Sequence, residues 1–413
     1  MIEQSIARKV AGIALILIFL ALMTVGNYRF CSAQPGGSDF LFRWLPTRIV
    51  LTETGSSPYT EEISNRVEIV DYGRLAQDNE PPGYFAYPYY TMLPFLPFAL
   101  LPNYALARAL WMTLLECAYL GCLFLSLKLT NAKLSMGQQT LLGVFLLFNA
   151  NFTQGLVDGN PAGLAALFFF LSLYFIRTQQ DRAAGIFLAL STMKPQMVIL
   201  GCVFIFLWSI VQRRWLIVLY VMLGMALLFG GSLLFHPQWL SDFYHQITSY
   251  TGYASPSTPK AILGYWMPAG TANLLSRGLT IVSITMMLFY WWKSRKGNFE
   301  DVVLAVAVTF TLMPFTGITS AKSNFITLIL LAVLLVNWST EVHLSPWWLT
   351  GLIAVSLVTS WVYRYHGPRS TNFFFFDFYP LPLTLLGLLL LSQVWPRRMA
   401  IINSLGERYD ETL

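Results

Sequence analysis

The chain has 413 residues, of which 56% are apolar and 11% charged, with a formal net charge of +6. A soluble domain carries about a quarter charged residues, and here apolar runs of bilayer-crossing length (about 20 residues) recur from Val10 nearly to the last residues, which leaves no room for a soluble domain of any size. The basic residues are scattered at segment ends rather than clustered, so they read as membrane orientation and not as a nucleic-acid footprint, and Cys31, Cys117, Cys122 and Cys202 have neither disulfide nor metal spacing.

In chain order, Arg8 and Lys9 precede the unbroken apolar run Val10 to Val25, read as an uncleaved first helix; the alternative is a cleaved signal peptide with a poor site near Cys31-Ser32-Ala33. Residues 27–88 form a polar first extracytoplasmic loop. Within it Ser38 is a natural N-cap, and Asp39 to Thr54 has helical spacing, with Phe40, Trp44, Arg48 and Leu51 on one side and Asp39 and Arg43 on another. This predicts an amphipathic helix at the membrane interface. Gly55-Ser56-Ser57-Pro58-Tyr59 ends it, a charged segment runs from Glu61 to Glu80, and Pro81 to Tyr90 is an aromatic, proline-rich return to the membrane. Pro94, Pro97 and Pro102 predict a short or broken element over Leu93 to Leu101.

Further helices are predicted from Tyr104 to Leu127, Met136 to Asn149 and Pro161 to Ile176, with Asn151 to Asn160 as an external loop. Lys128, Lys133, Arg177 and Arg182 read as cytoplasmic. Ala183 to Val211 has the length of one helix, yet Arg182 at one end and Arg213-Arg214 at the other both favour the cytoplasm. Two short helices meeting on the outer side at Lys194-Pro195-Gln196 resolve the conflict. Trp215 to Phe235 leads to a second extracytoplasmic loop, 236–271, with His236 and His245 as interface residues. The runs Asn273 to Trp292, Val302 to Pro314, Phe325 to Trp338, Trp347 to Tyr363 and Tyr379 to Trp395, ending at Arg397-Arg398, complete one all-α, polytopic integral membrane domain over 1–413. The sum is about twelve crossings with both ends inside.

Asp39 has two compatible readings: a first-turn acid paired with Arg43, and a base beside a membrane-embedded cavity that takes a proton from an acceptor hydroxyl. Lys194, inside an apolar stretch, is costly by about 2.5 kcal/mol or more at a helix centre and is a candidate phosphate ligand. Its bland alternative is snorkelling, or pairing with Glu116, which lies halfway along the second helix and is read as structural. Asp158 is read as an N-cap preceding Pro161, and Lys322 as a solvated lysine or a ligand in a short external turn. Arg364, His366 and Arg369 are read as interface contacts beside the Phe373 to Phe376 run, and His343 as cytoplasmic. The sequence holds no metal-ligand cluster, phosphate-binding glycine loop or Ser-His-Asp pattern.

In this order and spacing the motifs resemble glycosyltransferase family 87, the polyprenyl-phosphate-sugar-dependent branch of the GT-C superfamily. The carriers are Asp39 followed by Pro58-Tyr59, Phe85-Ala86-Tyr87-Pro88 with Leu93-Pro94 to Pro102, Gly159-Asn160, and Gly185 to Leu190 leading into Lys194-Pro195. Where family members often carry a late-helix Trp or His, this chain has Ala321-Lys322-Ser323-Asn324, making Lys322 a candidate substitute cation. The resemblance implies an inverting, metal-independent transfer at the outer membrane face. Asp39 would be the catalytic base, with Lys194, Arg43, Asn160, Tyr87, Gln196 and Lys322 as the substrate-binding set. No cofactor is expected. The donor would be a polyprenyl-phosphate hexose, mannose foremost, and the acceptor a glycolipid or glycan. The alternative classes are a lipid-linked sugar transporter or flippase, which needs no fixed base at the outer interface, and a non-catalytic assembly subunit.

Overall fold

The structure, a computed structural model, describes residues 2–53, 55–78, 80–250, 257–342, 345–366 and 379–392. All regular elements among them are helical. The first seven are α1 (Ile2–Ala33), α2 (Ser38–Thr52), α3 (Glu61–Tyr72), α4 (Leu96–Ala99), α5 (Tyr104–Leu129), α6 (Met136–Phe148) and α7 (Ala150–Asp158). Next come α8 (Ala162–Arg177), α9 (Asp181–Ser191), α10 (Pro195–Val211), α11 (Trp215–Phe235), α12 (Trp239–Tyr250) and α13 (Pro259–Gly264). The last are α14 (Ala269–Ser294), α15 (Phe299–Leu312), α16 (Ile329–Glu341), α17 (Pro346–His366) and α18 (Pro380–Ser392). Tight 3₁₀ turns cover Tyr89–Phe95, Met313–Phe315 and Lys322–Leu328. The sequence readings placed on His343, Arg369, Phe373 to Phe376, Arg397 and Arg398 lie outside the described residues.

Among the described residues five helices are long and apolar enough to cross a membrane: Val10–Ala33, Tyr104–Leu129, Trp215–Phe235, Ala269–Ser294 and Lys322–Glu341. The pair α6 and α7, bent by 56°, makes six if it is one span. Several of the about twelve crossings expected from the sequence correspond to shorter helices. The 16 residues of α8 reach about 24 Å at 1.5 Å per residue, less than the ~30 Å hydrocarbon core. α1 and α11 form an outer skin, exposing Leu15, Leu17, Phe19, Leu227 and Phe235. The core lies between α5, α8, α15 and α16, where Phe169 meets Phe310 edge-on at 4.9 Å and Phe95 stacks on Trp111 at 4.2 Å.

Two charged side chains inside this core are held by hydrogen bonds. Glu116 accepts a hydrogen bond from Asn27 Nδ2 at 2.9 Å, tying α1 to α5, so its partner is an amide on the first helix and not Lys194. Buried Arg108 donates to the carbonyls of Gln34 and Val157, both at 2.9 Å, just past the end of α1 and in the last turn of α7. A guanidinium is favoured there because helix C-termini carry partial negative charge.

The break between α9 and α10 falls where the sequence places it. Lys194 is the N-cap residue of α10 and Pro195 its first residue. Carbonyls freed by the break are taken up by the 3₁₀ turn before α4: Tyr90 Oη donates to Thr192 O at 3.2 Å and Thr91 Oγ1 to Met193 O at 2.9 Å. Such internal satisfaction is what allows irregular backbone at membrane depth.

Five local expectations change. Ser38 is the first residue of α2 and not its cap; Gly37 caps the helix at φ 80°, where a Cβ would stand 2.4 Å from Arg108 Nε, so close packing selects glycine. α2 does not bury one face alone: Arg43 is buried along with Phe40, Leu41, Phe42, Trp44 and Ile49, and Trp44 Nε1 and Arg48 Nη1 donate to the carbonyls of Phe98 and Ala99. Part of the charged segment after it is helix α3, capped by Thr60 and anchored by Ile63 and Val67. Its charged outer face masks that pattern. Asn151 to Asn160 is not a loop, since all but its last two residues belong to α7. Lys322 begins a 3₁₀ turn continuous with α16.

Candidate active site

Asp39 stands in the first turn of α2. Arg43, one turn on, donates Nη1 to Asp39 Oδ1 at 2.8 Å, and the Arg43 guanidinium lies 4.3 Å from the centre of the Tyr87 ring. Asn160 Nδ2 donates to Asp39 Oδ2, also at 2.8 Å. Each carboxylate oxygen thus has one fixed donor and keeps a lone pair, while the side chain stays 32% exposed to the cavity beside it.

Asn160 follows Gly159, the C-cap of α7 at φ 74°. A Cβ on Gly159 would come within 2.5 Å of Phe40 Cβ, next to the base itself. Gly159→Ala is therefore expected to destabilise the fold by about 2–3 kcal/mol, from the left-handed backbone plus the clash. An unchanged unfolding temperature in detergent would contradict this packing.

The Asn160 carbonyl oxygen in turn accepts from Lys194 Nζ at 2.6 Å, and Lys194 also reaches Ser323 Oγ at 3.4 Å. Lys194 is 1% exposed and, among the described residues, forms no ion pair with a carboxylate. A carboxylate, an amide and an ammonium therefore form one line from α2 through the α7–α8 turn to the broken α9–α10 pair. Tertiary folding joins groups 121 and 34 positions apart.

All of these side chains line one cavity of about 530 Å³, and so do the other sequence-predicted residues: Asp39, Arg43, Tyr87, Asn160, Lys194, Gln196 and Lys322 share it. None of the seven lies elsewhere. Tyr72 and Tyr84 from the first loop and Ile247 from α12 complete the wall on that side. The loop is stapled by buried Glu68, which accepts from the amides of Ala76 and Gly83 at 2.8 and 2.9 Å. Glu80 pairs with Arg74, whose guanidinium, with the Gln77 amide, holds the Glu80 carboxyl down to about 2, so this pair stays charged throughout the neutral range. Burial raises the Tyr59 hydroxyl far above its ordinary value, and it stays protonated to donate to Tyr87 O at 2.7 Å. Gln246 of α12 accepts from Ala86 N at 3.1 Å and donates to Tyr59 O at 3.0 Å. The second loop thereby holds the strap that carries Tyr87 against Arg43. His236 links the same loops, between Ser57 Oγ and Asp242 Oδ2.

Sequence reasoning missed the polar face of α7. Asn151, Gln154 and Asp158 line the cavity together with Ser323, and their i, i+3, i+7 spacing was the available signal. Asp158 does not cap a helix start; it closes α7. Arg364 Nη1 donates to Gln154 Oε1 at 2.7 Å, so this arginine supports the cavity wall.

A second, apolar cavity of about 430 Å³ runs between α6, α16, α17 and α18, lined by Leu142, Leu335, Leu352 and Leu385 among others. Asn151 borders both cavities.

Neither a curated protein nor a solved structure matches this chain. The profile of glycosyltransferase family 87 matches residues 85–316, a stretch that contains Tyr87, Asn160, Lys194 and Gln196 but begins after Asp39 and Arg43 and ends before Lys322. That match spans more than half of a chain built from apolar helices around a polar cavity, and the chain belongs to glycosyltransferase family 87, a membrane transferase of the GT-C type.

Proposed function

We propose that the protein transfers a hexose, mannose foremost, from a polyprenyl phosphate to a hydroxyl of an extracytoplasmic glycolipid or glycan, inverting the anomeric carbon. The observation that carries this reading is the Asp39–Asn160–Lys194 line, which sets a base and a cation on the same cavity. The acceptor oxygen attacks the anomeric carbon while Asp39 takes its proton. The bond from the anomeric carbon to the phosphate oxygen breaks, and the lipid phosphate leaves with the electron pair. Lys194 and Lys322, rather than a metal ion, stabilise that growing charge. A carboxylate is a modest base, so most of the rate comes from positioning and from the leaving group's electrostatics. Arg43, Tyr87 and Gln196 hold the sugar. The apolar cavity that meets the site at Asn151 supports placing the lipid tail between helices.

In this reading residues 1–413 act as one transmembrane domain in the cell membrane, with about twelve crossings. The short helices complete their crossings with irregular ends, and the site faces the extracytoplasmic side. The test is to incubate the purified protein with a panel of polyprenyl-phosphate sugars and octyl glycosides, following release of lipid phosphate. Release accompanied by a new glycosidic bond is expected. Movement of labelled lipid across vesicles without such a bond would replace the enzyme by a transporter.

A further inference from the structure

The cavity has a wall that the reaction above does not use. α7 presents Asn151, Gln154, Gly155 and Asp158 to it, a polar stripe on one helix face in a chain that is mostly apolar. Gly155 is fixed by close approach: a Cβ there would stand 2.9 Å from both Ser323 Cβ and Tyr119 Oη. The wall is therefore built tightly where α7 meets the 3₁₀ turn at Ser323. Arg364 engages the Gln154 amide oxygen and fixes that side chain one helical turn before Asp158, which leaves its amide nitrogen as a donor on the same face of α7. Asp158 lines the same cavity as Asp39 and lies two residues before Asn160, whose amide donates to Asp39, so the second carboxylate is on the base's side of the cavity.

Taking the function above as the frame, we propose that Asp158 recognises the acceptor: it holds a hydroxyl adjacent to the one that Asp39 deprotonates, so the acceptor presents a pyranose with vicinal hydroxyls. A phosphate is excluded from the Asp158 side by like charge and settles at Lys194 and Lys322, which leaves the α7 side for the neutral partner. An ionised carboxylate only accepts hydrogen bonds, so lining the cavity it calls for hydroxyl groups from the ligand. Asp39 and Asp158 side by side then read two neighbouring hydroxyls and select which of them is glycosylated.

The experiment uses the full chain in lipid nanodiscs, titrated with octyl α-mannopyranoside, octyl α-glucopyranoside and octyl α-galactopyranoside by saturation-transfer NMR, and separately with undecaprenyl phosphate. Wild-type protein is expected to bind at least one octyl pyranoside. Asp158→Ala and Asp158→Asn should weaken that binding about tenfold or more, and Gln154→Leu by less, because the carboxylate remains and only a neighbouring donor is lost. Undecaprenyl phosphate affinity should stay at the wild-type level in all three variants. Pyranoside binding that is indifferent to Asp158, or absent for all three probes in the wild type, overturns the proposal. Should Asp158→Ala fail to fold, Asp158→Asn and Gln154→Leu decide it. Failure of the wild type to bind undecaprenyl phosphate counts instead against the donor assignment, and the Asp158-dependence of pyranoside binding is read independently of it.

Discussion

Asp39→Asn, purified and reconstituted, is expected to bind a polyprenyl-phosphate sugar as the wild type does and to transfer the sugar about 10²–10⁴-fold more slowly. The reason is the polarity of the surrounding network. Arg43 and Asn160 each direct an N–H at one oxygen of Asp39, so both carboxylate oxygens are required as acceptors. An asparagine can satisfy one of them and meets the other with its own NH₂. Turning Asn160 around does not help, because its oxygen is already committed to Lys194 Nζ and to Ala162 N at 3.0 Å. The site therefore specifies a carboxylate, and replacing it removes the base while volume stays nearly constant. Single-turnover release of lipid phosphate measures the step. A wild-type rate in the Asn variant would remove Asp39 from the chemistry.

Lys194→Met is expected to separate function from stability. The ammonium is buried and, among the described residues, bonded to neutral oxygens, those of Asn160 and Ser323. Such a charge is expensive to bury and strengthens the fold little. Methionine keeps the length and apolar volume, so the unfolding temperature should hold or rise. Donor affinity should fall about 10–100-fold, since a charge-assisted hydrogen bond to the phosphate, worth roughly 1.5–3 kcal/mol, is lost. Equilibrium binding of undecaprenyl phosphate together with thermal unfolding distinguishes the outcomes. Unchanged affinity would leave Lys194 a structural residue, and a large fall in unfolding temperature would show that its ammonium holds the broken helix pair together.

The places where sequence and structure part company share a cause. α3 and α7 are short, and their large buried apolar side chains are few: Ile63 and Val67 in one, Phe152 and Leu156 in the other. Glycine, asparagine and charged residues around them read as loop, because hydropathy reports exposure to water or lipid and a helix facing a polar cavity resembles neither. Ser38 fails as a cap for a different reason. The approach of Arg108 from another helix demands glycine one position earlier, and no local pattern contains that neighbour. Asp158 was passed over because a helix end and an N-cap look alike beside Gly159 and Pro161.

Composition and periodicity alone were enough to identify a helical membrane chain and to place its main hydrophobic segments, since apolar length and charge at segment ends respond to the bilayer one residue at a time. The break at Lys194-Pro195 was legible on the same grounds, as proline and a buried cation are each local anomalies. The pairings were not: which amide bridges Asp39 to Lys194, which carbonyls Arg108 seals, and which helix face closes the cavity all depend on groups brought together across the chain. Hydrogen bonds act over a few ångströms in space and are indifferent to distance along the sequence, so only the folded arrangement could turn seven separate candidates into the lining of one site.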